Sequence, residues 1–379
     1  MTALHPVSSG PVVSVIVPAR NEEASLGACL ESLTRQDGLS LEIIVVDDGS
    51  SDCTREIAQS FAGVQVVDPG ALPPGWSGKN NALVTGARHA HGQWLLFTDA
   101  DTVHSPGSLA RALAEAQQRG AALLSYSPQQ EVRGIWEKAV MPVIFAELAV
   151  TYPPSRVSDP RSPAAAANGQ YLLISREAYD AVGGHAAVAT SLLEDVALAR
   201  AVKWSGRRIF FRYGGDAVRT RMYRSFAQLR EGWTKNLAQL FPGPGRLAAL
   251  RLTEFVLIAG SVAAAIIKIA GGKWQVGALA AALGAVMSFF FWMRIRRAHF
   301  FWDANVLSLI GLPLFAYLLL RSQLAYRGGC VSWKGRSYRG DHRGVDVVLN
   351  DAVEAERPRD GRQACSEQSR SAGATVVQG

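Results

Sequence analysis

Cysteine is scarce in this 379-residue chain: Cys29, Cys53, Cys330 and Cys365 stand apart, with no CxxC pair and no metal-ligand spacing. That pattern implies neither a zinc site nor a disulfide framework, and a reducing compartment is the simpler expectation. The first eleven residues carry no cationic stretch followed by an apolar one, so no cleavable export signal is expected and the front of the chain is expected in the cytoplasm. Glycine is missing where one class of enzyme would need it. The turn after the first strand-like run reads PARNEE, without the glycine-rich phosphate loop that a nucleotidyltransferase of similar strand and helix order requires. Charge is modest, with 19% charged residues against 48% hydrophobic and a formal net charge of +7. The arginines gather around late apolar segments and in the tail, a placement that points to an anionic membrane surface rather than to nucleic acid.

What is present begins with alternating strands and helices. Residues 12–17 (VVSVIV) are a β-branched run closed by Pro18, followed by a helical pattern through Ala24, Leu26, Cys29, Leu30 and Leu33. Residues 41–46 (LEIIVV) form a second strand ending in Asp47-Asp48-Gly49, with a helix over 54–61. A short strand at 64–67, a Pro/Gly loop, a helix over 81–89 and a strand at 94–97 (WLLF) come next. A polar helix to Arg119, a strand at 121–126, an apolar strand around 171–174 and a helix over 194–204 continue the pattern. This alternation predicts βαβ crossovers, a parallel sheet and a doubly wound α/β nucleotide-binding architecture. Residues 140–150 read either as a buried helix or as one lying on a membrane, and 153–163 as a Pro-rich loop.

From about Leu247 the composition changes. Residues 255–267, 274–293 and 304–320 are apolar, and the middle stretch carries no charge over nearly the length needed to cross a bilayer. Gly311-Leu312-Pro313 is expected to break the last stretch into a re-entrant or interfacial hairpin, which leaves the basic tail on the cytoplasmic side. The tail after Tyr338 is polar and expected to be disordered.

The chemistry concentrates at strand ends. WLLF runs straight into Thr98-Asp99-Ala100-Asp101, and carboxylates two apart on an extended segment point the same way, so they can share one hard cation or polar ligand. Asp47 and Asp48 end another strand, and in an open α/β sheet both pairs face the crevice beyond the strand ends. Four acids there are tolerable only with compensation by a cation or by ligand donors. Lys79, in GWSGKNN before a helix, is positioned to meet a diphosphate with its ammonium and the helix dipole.

The order VPARNEE, DDGSSD, GKNNAL, TDADT and LLEDVAL, over about residues 12–208, resembles the inverting glycosyltransferases of family 2. The resemblance implies a GT-A-like nucleotide-sugar domain followed by membrane helices, a nucleotide-diphospho-sugar donor, and Mg²⁺ or Mn²⁺. By similarity, Ala19, Arg20 and Glu22 line the nucleotide pocket, Asp47 and Asp48 contact base and ribose, and Asp99 with Asp101 is the DxD pair, Asp101 holding most of the metal. Asp195 matches the general base. Glu194 beside it either orients the acceptor or holds the loop. Processive members carry QxxRW, whereas this chain has Gln228-Leu-Arg-Glu-Gly-Trp233, which argues against a polysaccharide synthase. The segments RMYRSFAQLREGWTKNLAQLF and VSWKGRSY are similar to a membrane-attached branch associated with hopanoid and carotenoid biosynthesis.

The reading that follows is a non-processive, metal-dependent hexosyltransferase with a lipid or membrane-embedded acceptor and no nucleic-acid partner. It is expected at the inner membrane as a multi-pass protein with its catalytic domain in the cytoplasm. The expected divisions are a flexible 1–11, a catalytic 12–222, an amphipathic interfacial 223–246, membrane helices over 247–326, and a basic segment with disordered tail over 327–379. A rival reading is a membrane protein that keeps a sugar-nucleotide fold only for binding. Trp233 reads first as an interfacial anchor, and His185 as a surface-loop residue.

Overall fold

In the computed structural model, which describes residues 10–333 and 336–339, the strands near the amino terminus are buried on both faces. Side chains alternate along β1 (Val13–Ala19). Val13, Val15, Val17 and Ala19 enter one apolar cluster, with Leu26, Leu30, Leu33 and Leu96, while Ile16 enters another with Val46, Leu83, Leu95 and Phe97. A strand clad on both faces by helices needs apolar side chains on both, and the one hydroxyl in this run, Ser14, is buried with its Oγ donating to Glu42.

The chain divides into two units, Met1–Arg224 with Phe290–Ser308, and Ser225–Phe289 with Leu309–Gly379. In the first, β1 is followed by α1 (Leu26–Thr34), β2 (Leu41–Asp47), α2 (Thr54–Gln59), β3 (Val64–Val67), α3 (Gly78–His89), β4 (Trp94–Phe97), β5 (Thr102–His104) and α4 (Ser108–Arg119). Then come β6 (Leu123–Ser127), β7 (Gln129–Gln130), α5 (Ile135–Thr151), α6 (Pro154–Ser158), β8 (Leu172–Ser175), α7 (Arg176–Ala181), a 3-10 turn (Gly184–Val188), α8 (Glu194–Trp204), β9 (Ile209–Tyr213) and β10 (Val218–Thr220).

The main sheet has seven strands in the order β3-β2-β1-β4-β8-β6-β9. It is mixed rather than wholly parallel, because β8 runs antiparallel to both β4 and β6. A separate sheet, β5-β10-β7, consists of strands of two or three residues, too short to show a period in sequence. Helix α5 is buried along its middle, from Ala139 to Ile144, which settles the choice at 140–150 in favour of a buried helix. Its Glu147 faces Arg294 at 3.3 Å, and its Lys138 faces Asp303 at 2.7 Å.

The second unit contains α9 (Phe226–Leu240), α10 (Pro244–Ala270), most of α11 (Trp274–Ile295) and of α12 (Trp302–Arg327), and the hairpin β11 (Cys330–Trp333) with β12 (Arg336–Arg339). Helices α10, α11 and α12 are long and apolar enough to cross a membrane. Two expectations are corrected here. Trp233 is buried rather than displayed as an anchor. Helix α12 also runs through Gly311 and Pro313 without a break, so the re-entrant hairpin does not form. Proline removes one intrahelical hydrogen bond, a loss that neighbouring protein can absorb in an apolar helix. Of the expected flexible 1–11 and disordered tail after Tyr338, residues 1–9 and 340–379 lie outside the described residues.

Candidate active site

The carboxyl ends of β1, β2 and β4 open on one edge, since the three strands are parallel neighbours. Ala19 pairs in register with Asp47, and its carbonyl accepts the Asp48 N–H at 2.9 Å. Arg20 Nη1 donates to the Asp48 carbonyl at 2.7 Å and lies 3.8 Å from the Asp48 carboxylate. Glu22 is fixed at both ends, its N–H on Thr54 Oγ1 at 2.7 Å and its Oε2 accepting from Ser25 Oγ at 2.8 Å. Asp47 is buried and turned to its own loop, accepting the Ser50 N–H at 3.2 Å and facing Arg55 Nη1 at 3.3 Å. Ala19, Arg20, Glu22, Asp47 and Asp48 therefore form one cluster.

Beyond β1, Asp99 and Asp101 follow β4 on a turn pinned by buried hydroxyls. Thr98 Oγ1 donates to the Gln170 carbonyl at 2.7 Å, and Thr102 Oγ1 to the Asp99 carbonyl at 2.8 Å. His104 Nε2 lies 3.2 Å from each hydroxyl, and burial pushes this imidazole down to about 3, so it stays neutral. Thr98→Val leaves the Gln170 carbonyl without its donor, and we expect a loss of ~1–3 kcal/mol in denaturant unfolding. A variant as stable as the parent would show that this turn is held elsewhere.

Lys79 is the second residue of α3 rather than a loop residue, because Ser77 caps the helix by accepting the Asn80 N–H at 3.0 Å. Its ammonium lies 2.8 Å from Asp99 Oδ1 and 2.8 Å from Glu194 Oε1. Burial disfavours the charge, yet the two carboxylates outweigh it and hold the Lys79 pKa well above its ordinary value. Asp195 stands next in the first turn of α8, its Oδ2 accepting the Gly169 N–H at 2.8 Å. Burial, and then the negative charge of Glu194, push the Asp195 carboxyl up to about 6, while Lys79 and the N–H groups of Gly169 and Val196 pull it down. Residues 79, 99, 194 and 195 thus converge from three elements.

Some members of the site carried no recognisable signal. Asn80 is fully buried and donates from Nδ2 to the carbonyls of Val188, Ala189 and Ser191, which ties α3 to the loop ahead of Glu194. Gly169 sits where the site closes: a Cβ there meets Lys79 Nζ at 3.3 Å and the Asp195 and Glu194 carboxylates at 3.5 Å. Lys79 must give by a few tenths of an ångström while the two carboxylates stay at ordinary contact distance, so we expect Gly169→Ala to lower turnover by less than the ~10²-fold that an ångström's misplacement costs. Unchanged turnover in a transfer assay would show that the convergence is dispensable. Arg221 follows Thr220, the residue paired with Thr102, so it emerges beside Asp101, and its Nε is buried without a hydrogen bond among the described residues. His185 is buried, not on a surface loop: it contacts the Tyr179 hydroxyl at 3.1 Å and packs edge-on against Phe97.

A mixed sheet of this order, with acids along the carboxyl edge of β1, β2 and β4, is that of a GT-A type glycosyltransferase. The fold of a mannosyltransferase from Pyrobaculum calidifontis, solved in complex with GDP-Man and Mn²⁺, is similar, with a TM-score of 0.52 and 19% identity over 84% of this chain and 87% of that one. The sequence profile of glycosyl transferase family 2 matches residues 14–183. The 4,4'-diaponeurosporenoate glycosyltransferase of Staphylococcus aureus strain MRSA252 is 30% identical over 341 residues, 86% of this chain and 88% of the relative. Its counterpart in strain USA300 is 29% identical over 343 residues, with the same coverage. The chain belongs to glycosyl transferase family 2.

Proposed function

We propose that this glycosyltransferase moves one hexose from a nucleotide-diphospho-sugar to an apolar acceptor held in the membrane, of the carotenoid class named for its relatives. The observation that carries the reading is the convergence of Lys79, Asp99, Glu194 and Asp195, with Gly169 leaving room between them. Asp195 is the base. On an acceptor hydroxyl, a carboxylate raised towards neutrality but still ionised at pH 7 takes the proton as that oxygen attacks the anomeric carbon from the face opposite the leaving diphosphate, with inversion; an acceptor carboxylate brings its oxygen already ionised. Glu194, held by Lys79, is a positioning residue that keeps the charge balance beside that base. The cluster of Ala19, Arg20, Glu22, Asp47 and Asp48 supports a nucleoside site, and Lys79 and Arg221 supply positive charge for the diphosphate.

A divalent cation fits this site in one particular way. Among the described residues no three His, Cys, Asp or Glu side chains gather into a complete cage. Asp101, with Asp99 in support, is a hard oxygen donor set suited to Mg²⁺ or Mn²⁺ whose other ligands come from diphosphate and water. When bound, the cation stabilises negative charge on the leaving diphosphate. A non-catalytic binding role is not favoured, because it assigns nothing to a perturbed carboxylate beside a fixed Glu–Lys pair.

Three apolar helices support attachment to the membrane, and a cytoplasmic catalytic unit meets nucleotide sugars where they are made. The test is purified full-length protein in detergent, a panel of nucleotide sugars, and a polar carotenoid acceptor. Glycosylated product from one donor supports the reading, and donor hydrolysis unaffected by any apolar acceptor would overturn it.

A further inference from the structure

The described contacts constrain how many of the three apolar helices cross the bilayer. No apolar segment long enough to cross lies between Arg224 and α10, and α9 carries Gln228, Arg230, Glu231, Lys235 and Asn236, so α9 stays on the side of the catalytic unit. The carboxyl end of α12 is bonded to α9. Ser322 Oγ donates to the Thr234 carbonyl at 2.6 Å and accepts the Ala238 N–H at 2.9 Å, and the Tyr326 hydroxyl donates to the Lys235 carbonyl at 2.7 Å. Its amino end is bonded to α5 of the catalytic unit, with Asp303 Oδ2 2.7 Å from Lys138 Nζ. Both ends of α12 are therefore on one side. A helix of 26 residues, about 39 Å long, cannot cross a bilayer and keep both ends on the same face.

The remaining helices behave differently. In α11, Gly284 packs against Ser261 and Val262 of α10, and Gly277 against Ile269, so the two run antiparallel as a hairpin. The returning end of α11 meets α5 again through Arg294 and Glu147 at 3.3 Å. Burial separates the two kinds of helix: 11% and 17% of the apolar windows of α10 and α11 are buried, against 50% for α12. On α12 the exposed large side chains are Trp302, Val306, Ile310, Tyr317, Leu320 and Leu324, which fall on one face at helical spacing. Leu312, Phe315, Leu318, Leu319 and Tyr326 fill the opposite, buried face.

We propose that α12 lies along the membrane–water boundary on the catalytic side, with its exposed apolar stripe in the lipid, and that only α10 and α11 cross. The protein then has two spans, and the chain after α12 stays on the catalytic side of the membrane. Basic residues agree: Arg294, Arg296, Arg297, Arg321 and Arg327 all fall on the catalytic side, whereas a third crossing exports Arg327. This inference rests on membrane attachment with a cytoplasmic catalytic unit, and the test separates the two.

Single cysteines are introduced as Lys273→Cys, Arg297→Cys and Arg327→Cys with Cys53, Cys330 and Cys365 replaced by serine. Cys29 is retained, because burial pushes its thiol up to about 12. A membrane-impermeant maleimide is applied to spheroplasts before and after permeabilisation. The expected result is labelling of position 273 in intact spheroplasts and protection of 297 and 327 until permeabilisation. Labelling of 327 together with 273 means three spans and overturns the inference alone. Protection of 273 overturns the hairpin crossing, and labelling of 297 overturns the cytoplasmic orientation on which the inference rests. As a measurement independent of cysteine, a green fluorescent protein fused after Gly379 fluoresces if the tail stays in the cytoplasm, and a dark but intact fusion counts against two spans.

Discussion

Asp195→Asn is expected to bind nucleotide-sugar donor like the parent while losing ~10²–10⁴-fold in transfer, the range that a positioned general base contributes. The amide keeps the carboxylate's shape and accepts the Gly169 N–H through its oxygen, at the cost of turning its NH2 towards the Val196 N–H that Oδ1 accepts in the parent, and it has no basic electron pair for the acceptor proton. Donor affinity measured by calorimetry and transfer measured by product formation separate the two effects. An Asn variant that transfers near the parental rate moves the base elsewhere, first to Glu194. The pH profile gives an independent check. Transfer by the parent should fall as pH drops through about 6, because protonation of Asp195 removes the base. Glu194→Gln deletes the neighbouring charge that helps to raise Asp195, so its midpoint should move to lower pH. A midpoint unmoved in that variant, with Asp195→Asn inactive, would leave burial as the whole cause of the shift.

Removing divalent cations is expected to abolish transfer, with recovery on adding Mg²⁺ or Mn²⁺. Asp101→Ala should remain inactive at cation concentrations that saturate the parent. On the proposed reading Asp101 and Asp99 would hold the cation and the diphosphate would supply further oxygen ligands, so cation and donor should bind together. Donor affinity in the parent should therefore rise with cation concentration, and in Asp101→Ala it should not. Parental rates from Asp101→Ala with added Mn²⁺ would remove Asp101 from the metal site. Asp99→Ala also breaks the contact with Lys79, so its loss combines two effects and is the less diagnostic variant.

Much of this protein was determined locally. The apolar runs 15–17 of β1, 43–46 of β2 and 94–97 of β4 fit a sheet covered on both faces, and the acids that follow β2 and β4 mark the edge where such sheets bind ligands. The body of helix α3 and the three late apolar stretches are legible in the sequence, whereas the start of α3 at the Ser77 cap lies ahead of the 81 expected, which takes Lys79 out of the loop. What depends on partners distant in the chain was decided only by the tertiary structure. The direction of β8 follows from its pairing with β4 and β6, and an apolar four-residue strand reads the same in either direction. Trp233 and His185 are buried because of what packs over them, and neither residue type declares that by itself. Gly169 and Asn80 matter through atoms they meet from residues 79 and 188–195, and the pKa of Asp195 exists only once Glu194 and the surrounding wall are assembled around it. Helix α12 is the sharpest case. Its composition is that of a membrane span, and its bonds to Lys138 at one end and to Thr234 and Lys235 at the other come from residues far away in the chain, because a hydrophobic segment is driven out of water but not told where to go.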